Sequence, residues 1–587
     1  MTIENLVPLS QLALLPMPRS IEDTPGCLLS PGQTEPAEAA PPEALPVEGY
    51  RLTITPEGVT LEASDDAGFF YGHMTLRQLR RLCPEAAPCG VITDAPAFPR
   101  RGVMIDISRD KVPTLDTLYT LIDMLAEWKF NHLELYTEHT FAYHAHETVW
   151  KDASPMSAQD IQAIDAYCRE RLIDLVPNQN SFGHVERWLK HPEYKHLAEC
   201  PDGFDYTWGG RSPCGSTLDP ANPASLAFLD GLFDELLPNF SSDSFNVGCD
   251  ETWELGKGRS KALCEARGKG RVYLDFLLAI HERVKRHGRR MHFWGDVILH
   301  HPELISELPK DIVALNWGYE ANHPFEEQCT AFANSGIPFF VCPGTSSWLS
   351  IGGRTLNAVA NLSAAALAGR KHGAGGYLVT DWGDRGHWQY LPISYLGFGL
   401  AAALAWDPEA NGILAEDSRA LTERIGRHAF RAPDTAIGSL FYDLGNVHAP
   451  IAEGTSNGNV LFRTFNQFSL SDDGWLRVLT KLGSDRFVAV RERIAALPES
   501  VDASMIQRAD ARIVAAEFAQ ARRMLAHACE RALVALEYSD ATSLTDLSHD
   551  LDEIMVEHRR LWLARNRPGG LPDSLAYMEN CAAEYRG

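Results

Sequence analysis

The amino-acid sequence predicts an α/β protein whose central part is a (β/α)8 barrel. At 587 residues the chain is long enough for two to four domains. Between residues 96 and 408, eight short apolar runs alternate with amphipathic helical stretches, the pattern of parallel βαβ units. Seven of the eight runs end in polar or aromatic residues, as expected where a barrel presents functional groups at the carboxyl ends of its strands. A doubly wound open sheet is the alternative, but it uses fewer strands.

Residues 1–95 predict a small α/β domain. The segment GYRLTITPEGVTLEA (49–63) alternates apolar and polar residues on both sides of a Pro-Glu-Gly turn, which indicates a β-hairpin. The next segment, AGFFYGHMTLRQLRRL (67–82), carries its apolar residues at helical spacing. Pro96 and Pro99 then mark the end of this domain.

The barrel itself is predicted over residues 96–408. An amphipathic stretch such as 115–130 (LDTLYTLIDMLAEWKF) represents the helices between its strands. The eight predicted strands are 102–108, 132–138, 174–179, 244–251, 290–296, 312–318, 338–344 and 376–384. From residue 409 to 587 the periodicity becomes helical and rich in Ala, Leu, Arg and Glu, as in 512–538, so we expect a helical C-terminal region.

Composition and charge limit the partners that we expect. The formal net charge is −25, from 78 acidic against 53 basic residues, and this charge repels nucleic-acid phosphates and anionic membranes. No stretch reaches the roughly 18 apolar residues of a membrane-spanning helix, and the start of the chain has no basic segment ahead of its short apolar run. The twelve cysteines contain no C-x-x-C pair, which favours free thiols. We therefore expect a cytoplasmic protein without nucleic-acid or membrane partners, with assembly into a homo-oligomer left open.

The motif GCDETW places two adjacent carboxylates, Asp250 and Glu251, at the end of the fourth predicted strand. Carboxylates at the mouth of a barrel suit acid/base chemistry. Neighbouring residues on a regular strand point to opposite faces, so both can reach one pocket only if the backbone turns there. Without further context, a solvated charge pair is the simpler interpretation.

Four stretches give this motif its context. They are PRRGVMIDISRD (99–110), VPNQNSFGHV (176–185), FNVGCDETW (245–253) and DWGD (381–384). In this order they resemble the first-strand motif, the P-E-x-D-x-P-G-H, the H-x-G-G-D-E and the W-x-E of glycoside hydrolase family 20, the β-N-acetylhexosaminidases. The resemblance covers roughly residues 48–405. This chain departs from the family pattern at Cys249, which stands for the second glycine, at Asn178 and Asn180, which stand for two acids, and at Asp384, which is one methylene shorter than the usual glutamate.

The resemblance implies a role for each matched residue. Asp250 and Glu251 would be the catalytic pair. The substrate-binding residues would be Arg101 on the 3- and 4-hydroxyls, Asp384 on the 4- or 6-hydroxyl, His184 as the motif histidine, Trp382 as pocket wall, Glu138 as a polar contact and Tyr319 on the acetamide carbonyl.

Four tryptophans also fall at or just beyond predicted strand ends: Trp294, Trp317, Trp348 and Trp382. Indoles at that rim can enclose the methyl group of an acetamide and stack on the apolar face of a pyranose. The alternative is that each of them packs in the core. Their shared position at one end of the barrel favours the sugar pocket.

The family's mechanism is substrate-assisted. The resemblance therefore implies a retaining exo-β-N-acetylhexosaminidase that acts on β-GlcNAc or β-GalNAc glycosides without metal or organic cofactor. Glu251 would serve as acid and then as base, and Asp250 would orient the attacking acetamide. Two other classes are weighed against this one. The H-x-H of His144 and His146 resembles the metal pair of amidohydrolase barrels, but its place in a loop favours ordinary surface polarity. A carbohydrate-binding barrel without catalytic activity is the other alternative.

Overall fold

The computed structural model describes residues 6–41, 43–206, 210–453 and 455–586. It begins with a five-stranded sheet in the order β1-β5-β3-β4-β2, covered by one helix. The elements are β1 (Ser20–Leu29), β2 (Ala37–Ala39), β3 (Tyr50–Thr55), β4 (Gly58–Ala63), α1 (Asp66–Leu82) and β5 (Ala86–Asp94). β3 and β4 pair antiparallel, and the Asp65 side chain caps α1 by accepting from Gly68 N. The predicted hairpin and helix are both confirmed.

Eight parallel strands then form the barrel, with a two-stranded hairpin, β9 and β10, inserted after the third of them. Every predicted strand is present, although most are shorter than the apolar run that predicted them. The strands are β6 (Arg100–Asp106), β7 (His132–Tyr136), β8 (Asp174–Val176), β9 (Phe204–Asp205), β10 (Arg211–Ser212), β11 (Ser244–Asn246), β12 (Arg290–Trp294), β13 (Val313–Trp317), β14 (Phe339–Cys342) and β15 (Gly376–Asp381).

The barrel closes between β8 and β11. A parallel bridge joins Asn178 to Asn246, where the Asn246 N–H donates to Pro177 O at 2.9 Å and the Gln179 N–H donates to Asn246 O at 3.0 Å. This closure selects the barrel over the open sheet. The helices of this part are α2 (Leu115–Glu127), α3 (Glu147–Trp150), α4 (Ala158–Arg169), α5 (Glu186–Leu189), α6 (Pro223–Leu236), α7 (Lys261–Arg267), α8 (Lys269–Arg286), α9 (Asp296–Leu299), α10 (Phe325–Ser335), α11 (Thr355–Lys371) and α12 (Leu391–Trp406).

The rest of the chain is helical, as predicted. Its helices are α13 (Pro408–Asn411), α14 (Ile413–Glu416), α15 (Ser418–Ala429), α16 (Ala436–Leu444), α17 (Val460–Asn466), α18 (Asp473–Leu482), α19 (Ser484–Ala496), α20 (Ala511–Ala535), α21 (Leu544–Arg565) and α22 (Leu571–Arg586). They pack against loops at the carboxyl ends of the barrel strands: the Arg567 N–H donates to Val112 O, and the Trp388 indole donates to Ser574 O. Among the described helices, none combines the length and the apolar character needed to cross a bilayer.

A buried arginine joins the N-terminal sheet to the barrel. Arg101 stands near the start of β6 with 1% of its surface exposed. Its guanidinium donates to Lys129 O at 2.9 Å, to Phe98 O at 2.8 Å and to the Tyr71 hydroxyl at 2.9 Å. It also pairs with the Glu48 carboxylate at 2.8 Å. Arg101 therefore saturates backbone and side-chain acceptors from both parts of the fold.

We predict that Arg101→Ala lowers the free energy of unfolding by about 3 kcal/mol, because it removes one partner of a buried ion pair and strands several acceptors. Urea unfolding followed by circular dichroism measures this loss. The matched control is Arg100→Ala. The Arg100 side chain is 47% exposed and comes no closer than 3.5 Å to Asp174, so this substitution should change the free energy of unfolding by less than about 0.5 kcal/mol. Equal effects of the two variants would contradict the structural role of Arg101.

Candidate active site

A cavity of about 340 Å³ opens at the carboxyl ends of the barrel strands. All the residues that the sequence predicted for the site line this cavity, except Arg101 and Glu138. The lining consists of Arg109, His184, Asp250, Glu251, Trp294, Trp317, Gly318, Tyr319, Glu320, His323, Trp348, Trp382, Asp384 and Asn457. Most of the side chains that the four motifs singled out are therefore brought together in one place.

The backbone leaves the extended conformation after β11 and enters the left-handed region. Gly248, Cys249 and Glu251 have φ angles of 68°, 70° and 48°, all in the left-handed region. This turn breaks the strand alternation, so that Asp250 and Glu251 both face the cavity. A Cβ on Gly248 would lie 2.1 Å from the Asn180 side chain, so only glycine fits there. Cys249 adopts a left-handed conformation in spite of its side chain, and its thiol is fully buried.

Asn180, at the end of the β8 segment, holds this turn from the opposite side. Its Oδ1 accepts from Cys249 N at 3.1 Å, and its Nδ2 donates to Asp250 Oδ1 at 3.3 Å and to the Tyr136 hydroxyl at 2.8 Å. The carbonyl of Cys249 accepts from the Tyr273 hydroxyl at 2.9 Å. The amide thus supplies a neutral donor to Asp250 at a position where the family motif has an acid.

His184 lies between the two carboxylates. Its Nε2 is 3.2 Å from Asp250 Oδ2 and 3.3 Å from Glu251 Oε2. Burial opposes the charged imidazole, but the two carboxylates outweigh it and hold the pKa of His184 well above its ordinary value. In the same way burial raises the pKa of Asp250 while His184 and Arg109 lower it, and the net shift is downward. Asp250 therefore stays ionised.

Arg109 follows β6 and lines the cavity. The carboxylate of Asp106 fixes it by accepting from Arg109 N at 3.0 Å and from its guanidinium at 3.1 Å. The guanidinium lies 3.2 Å from both Asp384 and Glu138. Glu138 itself is buried behind Arg109 instead of lining the cavity, and burial, only partly offset by Arg109, raises its pKa to about 7. Glu138 thus contacts Arg109 and does not line the cavity, where the resemblance had implied a polar contact with the substrate.

The predicted contact of Arg101 with a sugar is wrong. Arg101 belongs to the amino end of β6, and the cavity opens at the carboxyl ends, so the length of the strand separates the two. Arg109, three residues past the end of the same strand, occupies the cavity instead. The rule that groups at strand ends form the site, applied to the first strand as it was to the others, would have selected it.

Asp296 is a third carboxylate at the catalytic turn, and the sequence analysis did not select it. Its Oδ2 accepts from Glu251 N at 3.2 Å, and its Oδ1 accepts from the Trp317 indole at 3.3 Å. Burial and the charges of Asp250 and Glu251 raise the pKa of Asp296 to about 8. The signal available in the sequence was its position at the end of the fifth strand, in RMHFWGD.

Aromatic rings form a continuous wall around the carboxylates. Tyr319 accepts a hydrogen bond from the Trp382 indole at 2.8 Å and stacks on Trp317 with ring centroids 5.1 Å apart. Trp348 meets Tyr319 edge to face at 5.0 Å, and Trp294 lies 6.0 Å from Trp382. The four tryptophans are thus both packed and lining the cavity, so the two readings of these residues are compatible.

The H-x-H histidines do not reach this cavity. His144 is exposed and bonds to Glu235 at 2.6 Å, and His146 bonds to the Tyr194 hydroxyl at 2.6 Å. Across the part of the chain that the structure describes, no group of three or more His, Cys, Asp or Glu side chains has the arrangement of a metal site.

The sequence analysis also missed Glu320, His323 and Asn457. Asn457 comes from the C-terminal region, where no motif pointed to it.

Fold and site together define a (β/α)8-barrel protein with a carboxylate pair inside an aromatic pocket of sugar size. Sequence profiles then identify the family: residues 98–367 match "Glycosyl hydrolase family 20, catalytic domain" and residues 20–95 match "Glycosyl hydrolase family 20, domain 2". The chain belongs to glycoside hydrolase family 20.

Relatives of known name agree with this assignment. The chain is 31% identical over 291 residues to a beta-hexosaminidase of Akkermansia muciniphila, covering 44% of this chain and 58% of the relative. It is 30% identical over 217 residues to beta-hexosaminidase subunit A1 of Dictyostelium discoideum, covering 35% and 39%. The match thus spans about half of these relatives or less. The crystal structure of Flavobacterium johnsoniae chitobiase superposes with a TM-score of 0.58 at 17% identity, over 93% of this chain and 97% of that one, which shows that the fold is shared.

The contact between Asn180 and Asp250 predicts a pH-dependent stability. Asn180→Asp would place a second carboxylate about 3.3 Å from Asp250, and like charges at that distance raise the pKa of one of the pair. A carboxyl whose pKa is higher in the folded than in the unfolded protein destabilises the fold at pH values above its unfolded pKa. This loss of stability becomes smaller as the pH falls. The deficit relative to wild type should therefore be larger at pH 8 than at pH 5, by at least about 1 kcal/mol.

Thermal or urea unfolding at the two pH values measures this deficit. Asn180→Ala is the matched control, because it removes the same contacts without adding a charge, and its deficit should be similar at both pH values. A deficit of Asn180→Asp that does not change with pH would contradict the electrostatic role of the amide.

Proposed function

We propose that the protein is a retaining exo-β-N-acetylhexosaminidase that removes terminal, non-reducing β-linked GlcNAc or GalNAc by substrate-assisted catalysis. The observation that carries the proposal is the left-handed turn after β11, which directs Asp250 and Glu251 into one aromatic pocket. Membership in family 20 and the printed names of the relatives support the substrate class.

The two carboxylates differ in depth, and this difference supports the roles proposed for them. Asp250 is buried, with a side chain only 8% exposed, whereas the Glu251 side chain is 29% exposed. The deeper carboxylate shares the cavity with the indoles that would enclose the acetamide, and its lowered pKa keeps it charged. There it can accept from the acetamide N–H and stabilise the positive charge of an oxazolinium intermediate. Glu251, nearer the mouth, is placed to protonate the departing oxygen and then to deprotonate water.

Arg109 and Asp384 suit the hydroxyls of the terminal sugar. Both line the cavity and they pair with each other at 3.2 Å. A guanidinium and a carboxylate together offer donors and acceptors to neighbouring hydroxyl groups. Because the cavity has about the size of one sugar, we propose that only the terminal residue at the non-reducing end of a chain enters it, which gives exo cleavage. Arg109 takes the role that the resemblance had implied for Arg101.

A substrate panel tests the proposal. Since the attacking atom belongs to the substrate's acetamide, aryl β-GlcNAc or aryl β-GalNAc should be hydrolysed, and the matched aryl β-glucoside should give a rate at least about a thousandfold lower. Release of the aryl alcohol measures both rates. Comparable rates on the β-glucoside would eliminate the substrate-assisted mechanism, and no turnover of any member would favour a carbohydrate-binding barrel.

A second test separates the two carboxylates by the leaving group. Glu251→Gln should slow cleavage of chitobiose far more than that of dinitrophenyl β-GlcNAc, because dinitrophenolate departs without protonation. Asp250→Asn should slow both substrates by similar factors, on the order of 10²-fold or more, because it weakens support for the intermediate itself. Steady-state kcat/KM on the two substrates gives the comparison. If Asp250→Asn were the variant sensitive to the leaving group, the two roles would be exchanged.

The cytoplasmic location stays a prediction of the sequence, and the sequence leaves the assembly into a homo-oligomer open.

A further inference from the structure

We infer that the C-terminal helical region completes the sugar pocket through Asn457, a positioning residue that holds Trp348 in the pocket wall. This inference rests on the proposed function. It gives the region beyond the barrel a part in substrate binding that acts through Trp348.

Asn457 connects two residues of the pocket wall that the barrel supplies. Its Oδ1 accepts from the Trp348 indole N–H at 2.9 Å, and its backbone N–H donates to Glu320 Oε1 at 2.6 Å. The Glu320 carboxylate is also held by both terminal nitrogens of Arg354, at 3.0 and 3.1 Å. Asn457 itself lines the cavity, so the C-terminal region both forms and supports this side of the pocket.

The loop that carries Trp348 is strained. Ser346, Leu349 and Ile351 have φ angles of 57°, 52° and 68°, and a left-handed conformation is especially unfavourable for a β-branched residue such as Ile351. Strain of this kind persists only where the surroundings fix the backbone. The position of Trp348 therefore depends on what packs against its loop.

The C-terminal region supplies much of what fixes this loop after Trp348, while Asn357 and Arg354 of the barrel hold Ser346 before it. The Asn459 N–H donates to Leu349 O at 3.0 Å, and the Asn459 side chain donates to Ser350 O at 3.1 Å. Gly458, with φ of 153°, lies so close that a Cβ there would be 3.0 Å from the Leu349 side chain. Residues 457–459 thus hold the loop of Trp348 at three successive positions.

The geometry predicts an effect on binding more than on the chemical step. Trp348 donates a hydrogen bond to Asn457 and packs on Tyr319. Among the described residues it makes no hydrogen bond or ring contact with Asp250 or Glu251. A wall that contacts the sugar equally in the ground state and in the transition state changes KM and leaves kcat nearly constant.

The test uses substitutions that tolerate the left-handed backbone of Asn457, whose φ is 49°. Asn457→Gly removes the side chain and keeps the N–H that donates to Glu320, whereas Asn457→Asp keeps an acceptor for the Trp348 indole. Ser456→Gly is the matched control, because Ser456 is an exposed residue of the same loop that does not line the cavity. All are measured in the full chain with an aryl β-GlcNAc substrate and with GlcNAc as competitive inhibitor.

We expect Asn457→Gly to raise KM and the inhibition constant of GlcNAc by about fivefold or more, with kcat within about twofold of wild type. Asn457→Asp and Ser456→Gly should stay within about twofold in all three constants. Trp348→Phe removes the same hydrogen bond from the barrel side and should reproduce the effect, and adding Asn457→Gly to it should have little further effect.

An unchanged KM in Asn457→Gly would overturn the inference. So would an equal loss in Asn457→Asp, an equal loss in Ser456→Gly, or a full additional loss in the double variant. If Asn457→Gly does not fold, Trp348→Phe still tests the bond, and a KM unchanged by that variant would overturn the inference on its own. Failure of the wild-type enzyme to hydrolyse any aryl hexosaminide refutes the proposed function instead, and is seen before any variant is made.

Discussion

The left-handed turn after β11 is the constraint on which the site depends. Two adjacent carboxylates can serve one pocket only because Gly248, Cys249 and Glu251 leave the strand conformation. Each of the two residues with a side chain costs on the order of 1–2 kcal/mol in that region, so the surrounding structure has to fix it. Asn180 and Asp296 hold the turn by backbone hydrogen bonds on its two sides.

The loop beyond the turn is fixed by a buried carboxylate. Glu254, three residues after Glu251, is fully buried and accepts from the backbone N–H and the hydroxyl of both Ser216 and Thr217, at 2.6 to 2.9 Å. A carboxylate that is satisfied so completely anchors the chain strongly, because moving it would leave a buried charge without donors. The rigidity that catalysis requires is thus supplied by groups that never touch the cavity.

Three carboxylates meet at the turn, and their surroundings drive their pKa values apart. Asp250 faces His184 and accepts from the Asn180 amide, whereas Asp296 accepts from a backbone N–H and an indole but faces two other carboxylates. Burial raises the pKa of both groups, but His184 and Arg109 turn the net shift of Asp250 downward, whereas the charges of Asp250 and Glu251 add to burial and raise the pKa of Asp296 to about 8. Near neutral pH the surroundings therefore favour the protonated form of Asp296 and the ionised form of Asp250.

The sequence predicts most of the fold because its signals are local. Apolar runs located all eight strands, the ends of these runs located Asp250, Asp384 and the tryptophans, and the family resemblance added His184. Local signals fail where the role of a residue depends on its place in the folded barrel. Arg101 and Arg109 flank the same strand, and only the polarity of the barrel, applied to that strand, separates a structural arginine from one in the pocket. Asn457 reaches the pocket from the far end of the chain by tertiary packing, which no periodicity records.

The same packing explains why the barrel and the C-terminal helices form one functional unit. The segment that follows Arg109 is held by those helices: the Thr114 N–H donates to Arg565 O at 2.9 Å, and Arg565 is in turn fixed by both oxygens of the buried Glu517, at 2.6 and 2.8 Å. Two loops on different sides of the pocket, after β6 and after β14, are therefore shaped by the same region. Because interiors are densely packed, a change in that region is transmitted to both walls instead of being absorbed between them. The C-terminal region is in this sense a part of the catalytic face.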